Sequence, residues 1–195
     1  PETNLTTDLS DYHPISVVYD SDLALKAHLH DPATLPGAIK LENKQVVCSS
    51  CHDAHLDYYG KFLVLENKDG ALCETCHDPE GWTLSSHDPP NGKCDGCHTS
   101  HSAGQSQGLL RVYNEEGTCT DNCHNSSAAT SVDVQTAFSS VYTHPVSATN
   151  GVHDYGEDPL TAAYHVECVD CHNPHQANAE DAPSPGAVTG ALKAV

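Results

Sequence analysis

Ten cysteines and five of fifteen histidines fall into one recurring arrangement, two cysteines followed at once by a histidine. The runs are Cys48-Ser-Ser-Cys51-His52, Cys73-Glu-Thr-Cys76-His77, Cys94-Asp-Gly-Cys97-His98, Cys119-Thr-Asp-Asn-Cys123-His124 and Cys168-Val-Asp-Cys171-His172. Four have the C-x-x-C-H spacing of covalent c-type haem attachment. Each part has a chemical role: two thiols form thioethers to the two vinyl groups of one porphyrin, and the adjacent histidine offers a nitrogen to its iron. The fourth run has one extra residue between its cysteines, so its backbone must bulge for both sulfurs to reach the ring. Disulfides would also use ten cysteines, but they give no reason for a histidine after every second one. Zinc needs two such half-sites per metal and does not require that histidine. The pattern therefore predicts five haems c.

The spacing also describes the elements that carry the motifs. Cys48 to Cys73 and Cys94 to Cys119 are both 25 residues, and Cys48 to Cys94 and Cys73 to Cys119 are both 46. Phe62-Leu63-Val64 before Cys73 is echoed by Leu109-Leu110 before Cys119. This is an internal repeat of a two-haem unit. The organisation reads as an N-terminal segment over residues 1–45 supplying distal histidines, a first two-haem unit over 46–80, a second over 81–125, and a linker, fifth motif and tail over 126–195.

Only 37% of the 195 residues are hydrophobic, and there are 13 glycines and 12 prolines. The expected fold is mostly irregular, with short α-helices at the motifs. The chain would wrap a stack of five haems with little conventional core. A formal charge of −19, with Arg111 as the single arginine, excludes nucleic acid as a ligand, since that needs a basic surface. No apolar run of about twenty residues spans a membrane. A chain starting at Pro1 reads as the processed form of an exported protein, extracellular or at the cell surface, with the periplasm as the alternative.

Beyond the proximal set of His52, His77, His98, His124 and His172, ten histidines remain, and there is no methionine. His/Met ligation is unavailable, so two-histidine coordination is expected at every iron, with a low potential and no open position for substrate. His55, His101 and His175 each follow a proximal histidine by three residues. A helical turn through the motif would point them toward a neighbouring porphyrin. His13, His87 and His144 stand before motifs, in proline-bearing stretches that favour an extended backbone. One histidine before and one after each unit's first motif assigns His13 and His55 to the first unit, His87 and His101 to the second, and His144 to the fifth iron. His175 and His165 are the alternates. His28, His30 and His153 read as surface or propionate-bonding histidines, and Trp82, Phe62, Phe138 and the tyrosines as packing for porphyrin faces.

With these motifs the chain resembles the multihaem c-type cytochromes with doubled C-x-x-C-H units. The resemblance runs over residues 12–176, through His13-Pro-Ile-Ser-Val-Val-Tyr, His87-Asp-Pro-Pro and Cys168-Val-Asp-Cys-His-Asn-Pro-His. These segments look like those of cytochromes from metal-reducing bacteria, some of which polymerise outside the cell into filaments with a continuous haem chain. The resemblance implies a homopolymer in which a histidine of one subunit ligates a haem of the next. Other redox proteins or extracellular metal oxides would exchange electrons with it. It implies an electron-transfer protein, not an enzyme. A monomeric periplasmic electron shuttle is the alternative. A multihaem reductase is a third reading, but it needs a five-coordinate iron, and no motif here puts lysine in place of the proximal histidine.

Overall fold

The computed structural model describes residues 7–88, 93–127, 133–144, 146 and 167–177, apart from the side chain of Cys171. His153, His165 and the tail from residue 178 lie outside that set. The fold is mostly irregular, as composition predicts. Its α-helices are α1 (Ser21–Lys26), α2 (Cys48–Cys51), α3 (Ala71–Glu74), α4 (Cys94–Cys97), α5 (Glu115–Thr120) and α6 (Cys168–Cys171). Helices this short do not persist alone, and all but α1 carry a cysteine of one of the five motifs. One two-stranded antiparallel sheet pairs β1 (Val17–Val18) with β2 (Gln45–Val46), Val17 opposite Val46. Among the described residues, only Tyr19, Ala24 and Trp82 are buried apolar side chains. Among the described residues, no helix is long and apolar enough to cross a membrane.

The N-terminal segment works as stitching. Asp20 caps α1, its carboxylate accepting the Leu23 amide at 2.9 Å. The chain then folds against the second motif. The His30 amide donates to the Cys76 carbonyl at 2.8 Å, and the Asp78 amide to the His28 carbonyl at 2.9 Å. Tyr19, almost fully buried, donates its hydroxyl to the His30 carbonyl at 2.6 Å. Further upstream the His13 amide bonds the Ser100 carbonyl and the Ala103 amide the Asp11 carbonyl, both at 2.9 Å. Residues 11–13 are thereby fixed to the loop after the third motif.

The duplication is visible in hydrogen bonds. After the first motif, His52 bridges Leu63, and the Val64 amide returns to the Cys51 carbonyl at 3.0 Å. After the third motif, His98 bridges Leu110, and the Arg111 amide returns to the Cys97 carbonyl at 2.9 Å. Each loop reverses through two consecutive left-handed residues, Lys61 (φ 54°) and Phe62 (φ 58°) in one, Gly108 (φ 65°) and Leu109 (φ 52°) in the other. The first loop is already left-handed one residue earlier, at Gly60 (φ 77°), whereas in the second the glycine is itself the first of the two residues, where this conformation costs least.

Candidate haem-binding site

Each motif closes on the same bond. The amide of the proximal histidine donates to the carbonyl of the first cysteine, at 3.0 Å for His52 and Cys48 and at 2.9 Å for His77 and Cys73, His98 and Cys94, and His172 and Cys168. This single helical turn stops at the histidine, whose backbone is extended: φ, ψ are −122°, 139° at His52, −105°, 159° at His98 and −108°, 142° at His172. In the long fourth motif the His124 amide reaches the Cys119 carbonyl at the same 2.9 Å, over one residue more. The extra residue is absorbed as a wider turn. Among the described residues, no two cysteines are joined in a disulfide. Among the described residues, no three or more His, Cys, Asp or Glu side chains gather as a metal cluster.

Four proximal imidazoles lie opposite a second histidine. Ring centres are 6.1 Å apart for His52 and His101, 6.1 Å for His77 and His13, 6.1 Å for His98 and His175, and 6.0 Å for His124 and His87. Metal–imidazole bonds of about 2.0–2.1 Å, with roughly 1.1 Å from nitrogen to ring centre, place two trans imidazoles about 6.3 Å apart. The separations match that span. The interplanar angles vary from 22° to 83° while the distance stays constant. Direct ring packing ranges more widely in distance. The residues fit an iron between the rings, with a porphyrin supplying the other four nitrogens. His172 is in none of these pairs.

Backbone carbonyls and aromatic edges orient these rings. Nδ1 of His52 lies 2.9 Å from the Lys61 carbonyl, and Nδ1 of His98 2.6 Å from that of Gly108. These are equivalent places in the repeat. A donor at Nδ1 leaves Nε2 as the lone-pair nitrogen. His87 Nδ1 is 2.9 Å from the Pro174 carbonyl. Tyr12 packs at 5.4 Å on His101, and Trp82 at 6.0 Å, edge-on, against His175. Trp82 is itself held by a 2.7 Å bond from Nε1 to the Glu74 carboxylate.

The segment after the fifth motif serves the second unit. Ser85 donates to the Pro174 carbonyl at 3.3 Å, and the Ser86 amide to that of Ala177. His175 thus reaches His98 while the preceding carbonyl orients His87. Gly81 (φ 78°) gives this segment room, since a Cβ there would lie 2.7 Å from Cγ of Gln176.

The partners differ from those assigned by order along the chain. His101 stands opposite His52 in the first unit, not an iron of its own unit, and His175 takes the place opposite His98. His55 is exposed and in none of the four pairs. The motif helix does not continue through His52, just as it stops at His98. The Asp53 carboxylate accepts the His55 amide at 2.9 Å, making a tight turn instead of a helical one. His13 and His87 do face motif histidines. His144 lines a cavity of about 300 Å³ beside Cys168. A second cavity, of about 370 Å³, is bounded by Cys48, His101, Tyr12 and His13, where a porphyrin attached at the first motif would lie. His28 and His30 dock by their backbones and expose their side chains.

The pairs neighbour one another in motif order. Desolvation by the surrounding chain depresses the His77 pKa even though the residue retains solvent access, and His13, His98 and His175 add to the effect. Desolvation followed by His52 and His13 lowers His101, and desolvation followed by His98 and His87 lowers His175. Neutral imidazole is the ligating form. Thiols of successive motifs also meet: Cys73 hydrogen-bonds with Cys94, and Cys119 with Cys168. Burial raises the thiol pKa of Cys51, Cys76 and Cys97.

One residue beside the site was missed from sequence. Glu115, buried at the start of α5, accepts the Val169 amide at 2.8 Å and so ties the fifth motif to the fourth. Burial pushes its carboxyl up to about 7; the Val169 bond opposes the shift, and Glu167 and Glu116 add to it. Nothing local distinguishes it among 27 acidic residues.

Residues 41–81 match the family model of the doubled CXXCH motif. The chain matches no curated protein and no solved structure. The matched stretch holds the first two motifs and is similar to the haem c attachment units of multihaem c-type cytochromes. Such proteins are generally electron carriers, although some are enzymes.

Proposed function

We propose that the chain carries five covalently bound haems c, each iron held by two imidazoles, and that it passes electrons along them as a subunit of a polymeric extracellular filament. The observation that carries the ligation is the set of four histidine pairs at 6.0–6.1 Å, each joining a motif histidine to one from elsewhere in the chain. The haem supplies a one-electron couple. The chain's histidines would hold its iron and leave no open position for reactants. Contacts between successive pairs favour a path that follows the motif order.

The fifth iron motivates the filament. His172 is exposed and has no ring opposite it in the described pairs. A histidine from a second copy would complete it and join two haem chains end to end. His144, near Cys168, is the in-chain rival; His165 and His153 lie outside the described residues. The scarcity of buried apolar side chains agrees with a subunit stabilised by haems and neighbours. The partners of such a polymer would be other redox proteins or metal oxide acceptors.

The alternative, a monomeric periplasmic shuttle, is favoured by a specific observation: four pairs, including the one with His13, are complete within one chain. Imaging of the native protein, together with haem counting by intact-mass spectrometry, decides between them. Five haems in filaments with density joining consecutive subunits at an iron support the proposal. Monomers at every concentration leave the shuttle, and fewer than four haems remove both.

A further inference from the structure

The four histidine pairs share a distance but differ in twist. Taken in the order of their motifs, the angle between ring planes is 34° for His52 and His101, 83° for His77 and His13, 22° for His98 and His175, and 74° for His124 and His87. Near-parallel and near-perpendicular pairs alternate.

The way each ring is anchored follows the same alternation. In both near-parallel pairs the motif histidine points Nδ1 at a loop carbonyl, Lys61 or Gly108, and the distal ring rests against an aromatic side chain, Tyr12 or Trp82. In both crossed pairs the distal ring directs Nδ1 to a proline carbonyl, His13 to Pro14 at 3.1 Å and His87 to Pro174 at 2.9 Å. The repeat accounts for the matching motif-side anchors. The N-terminal segment and the segment after the fifth motif supply the distal ones.

Twist has an electronic consequence at a ferric iron. An imidazole donates π density only through the orbital normal to its plane, so it raises one of the two iron orbitals of matching symmetry. Two parallel imidazoles raise the same orbital and split the pair. Two crossed imidazoles raise one each and leave the pair nearly degenerate. Protein control of ligand orientation is one of the ways a haem is tuned.

We propose, resting on the two-histidine reading above, that the haems of the first and third motifs are rhombic low-spin centres and those of the second and fourth strongly axial ones. Two electronic classes then alternate along the path, and Tyr12 is a positioning residue that holds His101 in the near-parallel orientation. Tyr12 is well placed for this, since its ring packs on that of His101 at 5.4 Å.

Electron paramagnetic resonance of the oxidised holoprotein tests this. Both signal types are expected, each integrating to at least two of the five irons. Tyr12→Leu should move one iron's intensity out of the rhombic class, and Tyr12→Phe, which keeps the ring, should restore it. A single signal type in the unaltered protein overturns the alternation whether or not the variants fold. Rhombic intensity unchanged in Tyr12→Leu overturns the positioning role. Predominantly high-spin iron overturns the two-histidine reading itself and is distinguishable from both.

Discussion

The amide of His124 donates to the carbonyl of Cys119 at 2.9 Å, across one residue more than the corresponding bond spans in the other four motifs. The long motif is therefore a widened copy of the standard turn. If closure of this bond is what presents the histidine, the extra residue is dispensable. Deleting Asn122 should leave the number of attached haems unchanged, as read by intact-mass spectrometry of the denatured protein. Loss of one haem on deletion would show that the wider turn is required.

Glu115 predicts a pH dependence with a definite sign. Its carboxyl rises from an ordinary 4.5 to about 7 in the fold, with burial the leading cause. The folded state therefore holds a proton that the unfolded chain releases earlier. Its contribution to stability is fully present below about pH 4.5 and is lost as pH rises through about 7. Glu115→Gln keeps an oxygen for the Val169 amide but cannot ionise. The variant should be more stable than the parent at pH 8 by on the order of 1–2 kcal/mol once screening is allowed for, and the gap should narrow toward pH 5. Thermal melts across that range measure it; an equal offset at every pH would contradict it.

Gly104 lies three residues after His101, where the loop presses on the 111–112 backbone. A Cβ at this position would sit 2.6 Å from the Val112 carbonyl carbon and 2.7 Å from the Arg111 carbonyl oxygen. These are backbone atoms and cannot swing aside. Gly104→Ala should cost about 1–3 kcal/mol and displace His101 from His52. A high-spin optical band from one iron, with the other irons unchanged, is the expected readout.

Tyr19 holds the N-terminal segment on the second motif through its 2.6 Å bond to the His30 carbonyl. Tyr19→Phe keeps the packing and leaves that acceptor without its donor, at a cost of about 1–3 kcal/mol. Faster proteolysis of the N-terminal segment is expected, with haem content unchanged. Loss of a haem in this variant would mean that the segment also guides attachment.

The motifs were legible in the sequence because covalent attachment is local chemistry. Two thiols and an imidazole must lie within one turn of chain, and Cys48-x-x-Cys51-His52 and its relatives satisfy that from spacing alone. The duplication was legible for the same reason, and it reappears in the matched bonds of Val64 with Cys51 and Arg111 with Cys97. The shortage of core followed from composition, since a chain with so few apolar residues cannot bury many.

What only the tertiary structure decided is which histidines meet. His55 and His101 hold the same place after their motifs, three residues past the proximal histidine. Yet His101 lies opposite His52 and His55 is in no described pair. The difference comes from distant chain: residues 11–13 bind the loop around His101, while the turn at His55 is closed by Asp53. His175 likewise reaches His98 because the stretch after the fifth motif folds back on residues 81–88. A distal imidazole has no covalent neighbour to fix its partner, so its choice depends on long-range packing that spacing does not encode.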